Sequence, residues 1–226
     1  MIDGDAGGEL AAGDFSDWRA QMEGALRGER DADVPCDSCT ACCSASQFVP
    51  VGPEESDTLA HIAPALLFPA PRSPRGHVLL GYDEHGRCPM LVDDRCSIYA
   101  HRPRACRTYD CRVFAAAGLD VGEGDASKAG VARRVRRWRF AHPSAQDRVE
   151  HEAVRSAAAF VGAHPELFPD DGGPATTTQR AVLAVELHAA FVGCEPDVPA
   201  VRIELTRRRE ARALGLDVPP AGTSRP

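Results

Sequence analysis

The chain has 226 residues, of which 43% are hydrophobic and 26% are charged, and its formal net charge is −7 at pH 7. This length is sufficient for one hydrophobic core, or for one core and a small additional module. The acidic balance argues against general nucleic-acid binding and against attraction to an acidic membrane surface.

Residues 1–35 are predicted to form an acidic tail followed by one helix. Residues 1–13 lack the basic and apolar regions of a secretory signal. Asp14 or Ser16 can cap a helix that ends near Arg27 and carries apolar residues along one face. The chain also lacks a run of about 18 apolar residues that could span a bilayer. We therefore expect a cytoplasmic protein with no membrane association, in a compartment that keeps thiols reduced.

Residues 36–117 are predicted to form a cysteine-rich module. Eight of the nine cysteines lie here in two groups, one with the pattern C-x-x-C-x-x-C-C and one more widely spaced. Disulfides need a particular Cα separation and torsion, which short local loops rarely supply. Two cysteines spaced C-x-x-C can instead wrap one cation. The sequence therefore predicts a metal–thiolate site whose candidate ligands are Cys36, Cys39, Cys42, Cys43, Cys88, Cys96, Cys106 and Cys111.

This module is also predicted to contain a small β-hairpin. Residues 77–82 have strand character, residues 83–86 form a turn, and residues 88–92 are predicted to return as the second strand. The module has few apolar residues of its own. Its folding is therefore expected to depend largely on the metal.

Residues 118–143 are predicted to be a linker that ends in a basic segment. Glycine and aspartate are frequent in residues 118–130, which is typical of a mobile loop. The basic segment is Arg133–Arg139, with Trp138 and Phe140 interleaved. Arginine with aromatic side chains can bind nucleic acid, but a solvated charged face is more common. Nucleic acid is therefore not expected as a partner.

Residues 144–214 are predicted to be helical and to precede a disordered tail at residues 215–226. Ser144 and Asp147 have the spacing of a capping box, which opens the first of three helices. The predicted fold class is mainly α, with a small irregular metal-binding module that is cysteine-rich and contains the β-hairpin.

The second of these helices is predicted over residues 178–194 and the third, strongly charged, over residues 199–214. The second is apolar almost all round, which indicates burial rather than an amphipathic surface position. Cys194 at its end is therefore predicted to be a core residue, and His188 to have a structural role.

Two alternatives are compatible with the sequence for the identity of the metal. The C-x-x-C-x-x-C spacing is typical of iron–sulfur clusters in bacterial ferredoxins, whereas eight cysteines could also complete two four-thiolate Zn²⁺ sites. The adjacent Cys42 and Cys43 point in different directions on an extended backbone, so they suit two metals, or one ligand and one neighbouring thiol. We favour an iron–sulfur cluster, of the 4Fe–4S type, over Zn²⁺.

The cysteine pattern resembles that of the YkgJ family of cysteine-cluster proteins. The resemblance rests on the first cysteine group, on the C-P-M-L that starts at Cys88, and on the C-S-I-Y-x-x-R-P-x-x-C-R-x-Y-x-C that starts at Cys96. It covers residues 36 to about 114 and implies zinc or iron chelation more firmly than it implies a reaction. The same motif occurs in flagellin lysine N-methylases. Ala100 departs from the acidic residue expected after the tyrosine.

Arg102 and Arg107 flank Cys106 and are candidate cofactor-binding residues. Their charges could stabilise thiolates or an anionic ligand, or they could form salt bridges that fix the loop; both readings stay open. Tyr99 is predicted to pack and to form a hydrogen bond through its hydroxyl group. His101 is predicted to be structural rather than a ligand.

Three functions are compatible with these patterns. The first is a cytoplasmic metal-binding protein that holds an iron–sulfur cluster for a redox, metal-handling or accessory role. The second is an enzyme that resembles the lysine N-methylases, and the third is a structural zinc module that mediates contact with a protein partner. The sequence identifies no catalytic residue, so whether the protein is an enzyme stays open.

Overall fold

The computed structural model describes residues 8–32, 34, 39–71, 73–122, 125–168, 173–174, 176–194 and 196–213. Its helices are α1 (Phe15–Arg27), α2 (Ser56–Ala60), α3 (Arg104–Thr108), α4 (Arg112–Ala117), α5 (Ala129–Val135), α6 (Ala145–Ala163), α7 (Thr177–Leu187) and α8 (Val198–Ala213). Its strands are β1 (Leu10–Asp14), β2 (Val49–Val51), β3 (Leu67–Pro69), β4 (Val78–Leu80), β5 (Leu91–Val92), β6 (Arg95–Cys96) and β7 (Trp138–Ala141). The prediction of a mainly α fold with small β elements is confirmed. The predicted disordered tail at residues 215–226 lies outside the described residues.

The chain divides into two compact units, each built from segments that are distant in the sequence. Unit 1 comprises Met1–Arg27, Arg112–Asp120 and Val135–Pro226, and unit 2 comprises Gly28–Cys111 and Val121–Arg134. Unit 1 therefore contains the long helices, while unit 2 contains both cysteine groups and the three-stranded sheet.

Helices α1, α4, α6 and α7 build the core of unit 1. Helix α6 contacts the other three, and the core is filled by large buried side chains that include Trp18, Phe114, Val154 and Val185. Strands β1 and β7 pair in parallel, with Leu10 opposite Trp138. Trp138 of β7 is only 3% exposed, so the strand pair also contributes to this core.

The capping box predicted at Ser144 and Asp147 is confirmed. The Asp147 backbone N–H donates to Ser144 Oγ over 3.2 Å, and the Ser144 backbone N–H donates to Asp147 Oδ2 over 2.9 Å. Asp147 Oδ1 also accepts the backbone N–H of Ser16 at the start of α1, over 2.9 Å. One carboxylate thus satisfies N–H groups at the N-termini of two helices, and these hydrogen bonds hold its pKa well below the usual range.

Two histidines lie in an aromatic cluster of unit 1. His142 and His151 share a hydrogen bond of 2.8 Å between Nε2 and Nδ1, and the His151 ring stacks on Phe15 with centroids 4.2 Å apart. Burial, followed by the nearby charges of His142 and Arg155, lowers the pKa of His151 to about 4. His151 is therefore neutral in the folded protein at pH 5.

We expect His151 to make the folded state less stable as the pH falls from about 6.5 to about 4. In this window the unfolded chain binds a proton that the folded chain does not bind, so the free energy of unfolding decreases. The decrease has an upper bound of about 3 kcal/mol and is smaller because the ring is partly exposed. Urea unfolding across this pH range should show a shallower pH dependence for His151→Gln than for the wild type. His85→Gln, at an exposed site, should behave like the wild type; equal slopes for all three proteins would contradict the prediction.

Unit 2 contains two small antiparallel sheets. Strand β4 lies between β2 and β3, with Leu80 opposite both Val49 and Leu67. Strands β5 and β6 form a separate pair, in which Leu91 lies opposite Cys96. Seven apolar residues of the described part of unit 2 are buried, and they are Ala45, Val51, Ile62, Leu80, Ile98, Val131 and Ala132. The core of unit 2 is therefore small.

The predicted pairing of residues 77–82 with residues 88–92 is wrong. Strand β4 pairs with β2 and β3 instead. The Leu91 backbone N–H donates to the carbonyl of Cys88 over 2.9 Å, which closes a four-residue turn. Pro89 occupies the second position of that turn, which its fixed φ favours.

Two further predictions need correction. Cys194 is exposed rather than buried, because α7 gives way to a 3-10 helix (His188–Phe191) and Gly193, with φ +70°, turns the chain away from the core. The loop predicted over residues 118–130 is regular at its end, where a 3-10 helix (Ala126–Lys128) leads into α5. His188 is buried, as expected for a structural role, and its Nδ1 lies 2.7 Å from the carbonyl oxygen of Val185.

The basic segment does not present its aromatic residues to solvent. Trp138 is buried, and the Phe140 ring packs against Trp18 with centroids 4.9 Å apart. Both belong to the aromatic cluster of unit 1, so they pack within that unit and do not form an exposed stacking surface.

Candidate metal centre

Cys42 and Cys43 of the first cysteine group lie on a short 3-10 helix, Cys42–Ser44. The carbonyl of the next residue, the buried Ala45, accepts hydrogen bonds from the Ser127 hydroxyl over 3.3 Å and from the Lys128 ammonium group. Lys128 is the single lysine of the chain. The sequence did not predict these two contacts because they join residues more than 80 positions apart. The one local indication of a special role was that Lys128 is the single lysine.

A backbone hydrogen bond joins the two cysteine groups. The Cys88 N–H donates to the carbonyl oxygen of Cys43 over 2.7 Å, and the Ser46 N–H donates to the carbonyl of Gly86 over 2.9 Å. The turn that carries Cys88 is therefore fixed directly against the turn that carries Cys42 and Cys43.

The residues Cys88 and Cys96 both pack against the small core of unit 2. That core consists of Ile62, Leu80 and Ile98, and the two cysteines are half-buried on its surface. The core thus holds two cysteines of the second group in fixed positions.

Cys106 is placed by α3, which is anchored to α2 and its N-terminal turn. The Arg104 backbone N–H donates to a carboxylate oxygen of Glu55, and the Thr58 hydroxyl donates to the carbonyl of Arg102 over 3.4 Å. Because α3 has only five residues, these contacts, rather than helix propensity, fix the position of Cys106.

The thiols of both groups are electrostatically coupled. Burial, then the proximity of Cys42, Cys88 and Cys96, raises the pKa of Cys106 to about 12. The pKa of Cys42 is also raised, first by its hydrogen bond with Cys43 and then by burial. Burial and the nearby Cys96 and Cys42 raise the pKa of Cys88. Five thiols therefore form one group, and they are those of Cys42, Cys43, Cys88, Cys96 and Cys106. Within this group a second thiolate is disfavoured without a compensating positive charge.

This thiol group fits a metal better than it fits an apolar core. Clustered thiols that oppose each other's ionisation become stable thiolates when a cation binds between them. Cys42 and Cys106 are exposed, so the group has an open side. Cys39 and Cys111 are half-buried in the same unit, and Cys36 lies outside the described residues.

Arg102 and Arg107 have different surroundings. The Arg102 charge acts on Cys106 and favours its thiolate, opposing the larger effects that raise the pKa of this thiol. The Arg102 Nε is buried and has no hydrogen-bond partner among the described residues. Arg107 instead donates to the carbonyl of Arg102 over 3.1 Å and to Asp31 Oδ1 over 3.0 Å. Arg102 therefore acts on Cys106 through its charge, and Arg107 fixes the loop.

Tyr99 does not pack as predicted. Its side chain is 63% exposed, and the Arg102 guanidinium carbon lies 3.6 Å from the centroid of its ring. The stacked pair orients Arg102, since a cation is attracted to the face of an aromatic ring.

Comparison with known proteins bears on unit 2. A family model described as "CxxCxxCC: Putative zinc- or iron-chelating domain" matches residues 35–118. No curated protein and no solved structure matches the chain. None of the helices in the described ranges combines the length and the apolar character needed to cross a bilayer. Residues 35–118 of this chain are therefore similar to a family of cysteine-cluster domains described as zinc- or iron-chelating.

Proposed function

We propose that unit 2 binds a single iron–sulfur cluster, of the 4Fe–4S type, through thiols of both cysteine groups. The observation that carries this proposal is the convergence of the groups, since the Cys88 N–H bonds to the Cys43 carbonyl and Cys106 is coupled to Cys42, Cys88 and Cys96. The family match supports metal chelation by this segment.

The spacing of the cysteines favours a cluster over one zinc ion. A structural zinc site and a 4Fe–4S cluster each take four cysteine ligands, but the C-x-x-C-x-x-C spacing is typical of clusters. Two zinc ions would need two separate shells, whereas Cys42, Cys88 and Cys96 all act on Cys106. A cluster offers several iron atoms to cysteines that approach from different directions.

The surroundings of the thiols suit an electron-transfer or metal-handling role in the cytoplasm. Arg102 supplies a positive charge near Cys106 that would offset the negative charge of a thiolate-bound cluster. Exposed surface at Cys42 and Cys106 leaves one side open to a partner protein. A cysteine-ligated cluster, when bound, supplies a centre that accepts and donates single electrons.

Metal and sulfide analysis of protein purified without oxygen tests this proposal. We expect brown protein with visible thiolate-to-iron absorption, and with iron and acid-labile sulfide in equal amounts. Colourless protein from iron-replete cells, with stoichiometric zinc and no sulfide, would instead support a structural zinc module.

A further inference from the structure

Unit 2 carries a second cluster of metal-ligating side chains that contains no cysteine. It consists of Asp57 in α2, His61 at the C-terminal cap of α2, and His101 at the end of a 3-10 helix, Tyr99–His101. One ligand atom from each residue lies within 4.8 Å of the others.

The three side chains contact one another. His101 Nδ1 lies 2.7 Å from Asp57 Oδ2, and His61 Nδ1 lies 3.9 Å from Asp57 Oδ1. The two imidazole rings are stacked, with centroids 3.6 Å apart and planes inclined by 7°. The stack places two nitrogen ligands beside one carboxylate, which is the composition of many transition-metal sites.

These distances are close to those that a single ion requires. A tetrahedral site with ligand bonds of about 2.0 Å has neighbouring ligand atoms about 3.3 Å apart. The observed nitrogen-to-oxygen separations, 2.7 Å and 3.9 Å, lie on either side of that spacing. His61 Nδ1 also lies 2.8 Å from the backbone carbonyl oxygen of Asp57, and the two rings are nearly parallel, so an ion is seated only when the His61 ring rotates out of the stack. The side chains are free to rotate because His61 and His101 are 41% and 38% exposed.

The backbone beneath the cluster is fixed independently of these side chains. The Thr58 hydroxyl donates to the carbonyl of Arg102, and a Glu55 carboxylate oxygen accepts the backbone N–H of Arg104. The two segments that carry the histidines therefore stay in register without an ion. Because the backbone is already ordered, only the side chains lose entropy when the ion binds.

We infer that Asp57, His61 and His101 form a binding site for a divalent transition-metal ion such as Zn²⁺, separate from the thiol group. Imidazole nitrogen selects first-row transition metals over Mg²⁺ and Ca²⁺, which prefer oxygen ligands. The exposed position leaves the remaining coordination positions to water or to a ligand from solution. The bound ion links α2 to the segment that connects Cys96 and Cys106.

Titration of the loaded protein with Zn²⁺ tests this inference. The thiol centre is first filled with its own metal, so that added zinc does not enter empty thiols. Calorimetry is expected to detect one further zinc ion per chain. Cadmium NMR on the same protein is expected to show nitrogen and oxygen ligation rather than sulfur ligation.

Matched variants identify the ligands. Asp57→Asn and His101→Gln should each weaken this zinc binding by more than about tenfold, since even the loss of a group that only supports a ligand costs about 10–100-fold. His85→Gln changes a histidine of the same unit that is 73% exposed and should bind zinc like the wild type. Circular dichroism and the metal content of the thiol centre check that every variant is folded.

Three results would overturn the site. They are the absence of a further zinc ion on the wild type, equal affinity in Asp57→Asn, His101→Gln and the wild type, and cadmium signals typical of sulfur ligation. The last would place the added ion on thiols such as the exposed Cys194.

Discussion

Removal of the metal is expected to unfold unit 2 while unit 1 stays folded. The described part of unit 2 buries seven apolar residues, too few to offset the entropy of ordering its chain. A structural metal contributes on the order of 10 kcal/mol of folding free energy to a small module of this kind. Amide exchange of Leu80, in the central strand β4, should approach the rate of the free chain after chelation under reducing conditions.

The internal control for this experiment is the helical core of unit 1. Val154 and Val185 are fully buried in α6 and α7, and their amides should stay protected after chelation. If the amides of β4 kept their protection after complete metal removal, the metal would be bound to a preformed fold. If both units lost protection together, the folding of unit 1 would also depend on the metal.

Truncation of Leu80 is expected to weaken metal retention as well as stability. Leu80 is 1% exposed, and the core it forms with Ile62 and Ile98 supports Cys88 and Cys96. Loss of a buried leucine side chain costs about 2–5 kcal/mol, a large part of the stability of a small unit. Leu80→Ala should therefore release its metal at a clearly lower urea concentration than the wild type.

The matched control is Val92→Ala, in the exposed position of the short strand β5. Val92 is 52% exposed, so its truncation should change stability by no more than about 0.5 kcal/mol. The measurement is the metal released at each urea concentration, followed with a chromogenic chelator. Equal midpoints for Leu80→Ala and Val92→Ala would show that the core does not support the metal centre.

The features that could be predicted from the sequence are those that local chemistry determines. The Ser144–Asp147 capping box joins groups three residues apart. The cysteine spacing is likewise a local signal, because C-x-x-C geometry suits metal binding in a tight turn.

The features that the sequence did not reveal depend on contacts between distant residues. Strand β1 pairs with β7, so Leu10 lies opposite Trp138 without any local pattern to indicate it. The hydrogen bond from Lys128 to the carbonyl of Ala45 also joins residues that are distant in the sequence. Stacking between His61 and His101 could not be predicted either, since the two rings are 40 positions apart and meet only after α2 and α3 have packed.

The predictions for residues 88–92 and for Cys194 were wrong for similar reasons. Residues 88–92 have the composition of a strand, but Pro89 and the hydrogen bond from the Leu91 N–H to the Cys88 carbonyl make a turn of residues 88–91, and only Leu91–Val92 forms a strand, β5. An apolar helix that reached Cys194 would have buried it, but the chain turns at Gly193. In both cases one residue with a restricted or unusual φ overrides a longer apolar pattern.

The metal content of single-cysteine variants tests most directly whether both cysteine groups bind one centre. Cys42→Ser changes the first group, Cys106→Ser changes the second, and Cys194→Ser, at an exposed position in unit 1, is the control. A shared centre predicts that Cys42→Ser and Cys106→Ser each lose nearly all the metal, while Cys194→Ser keeps it. Retention of half of the metal in both Cys42→Ser and Cys106→Ser would show two separate sites and contradict a single centre.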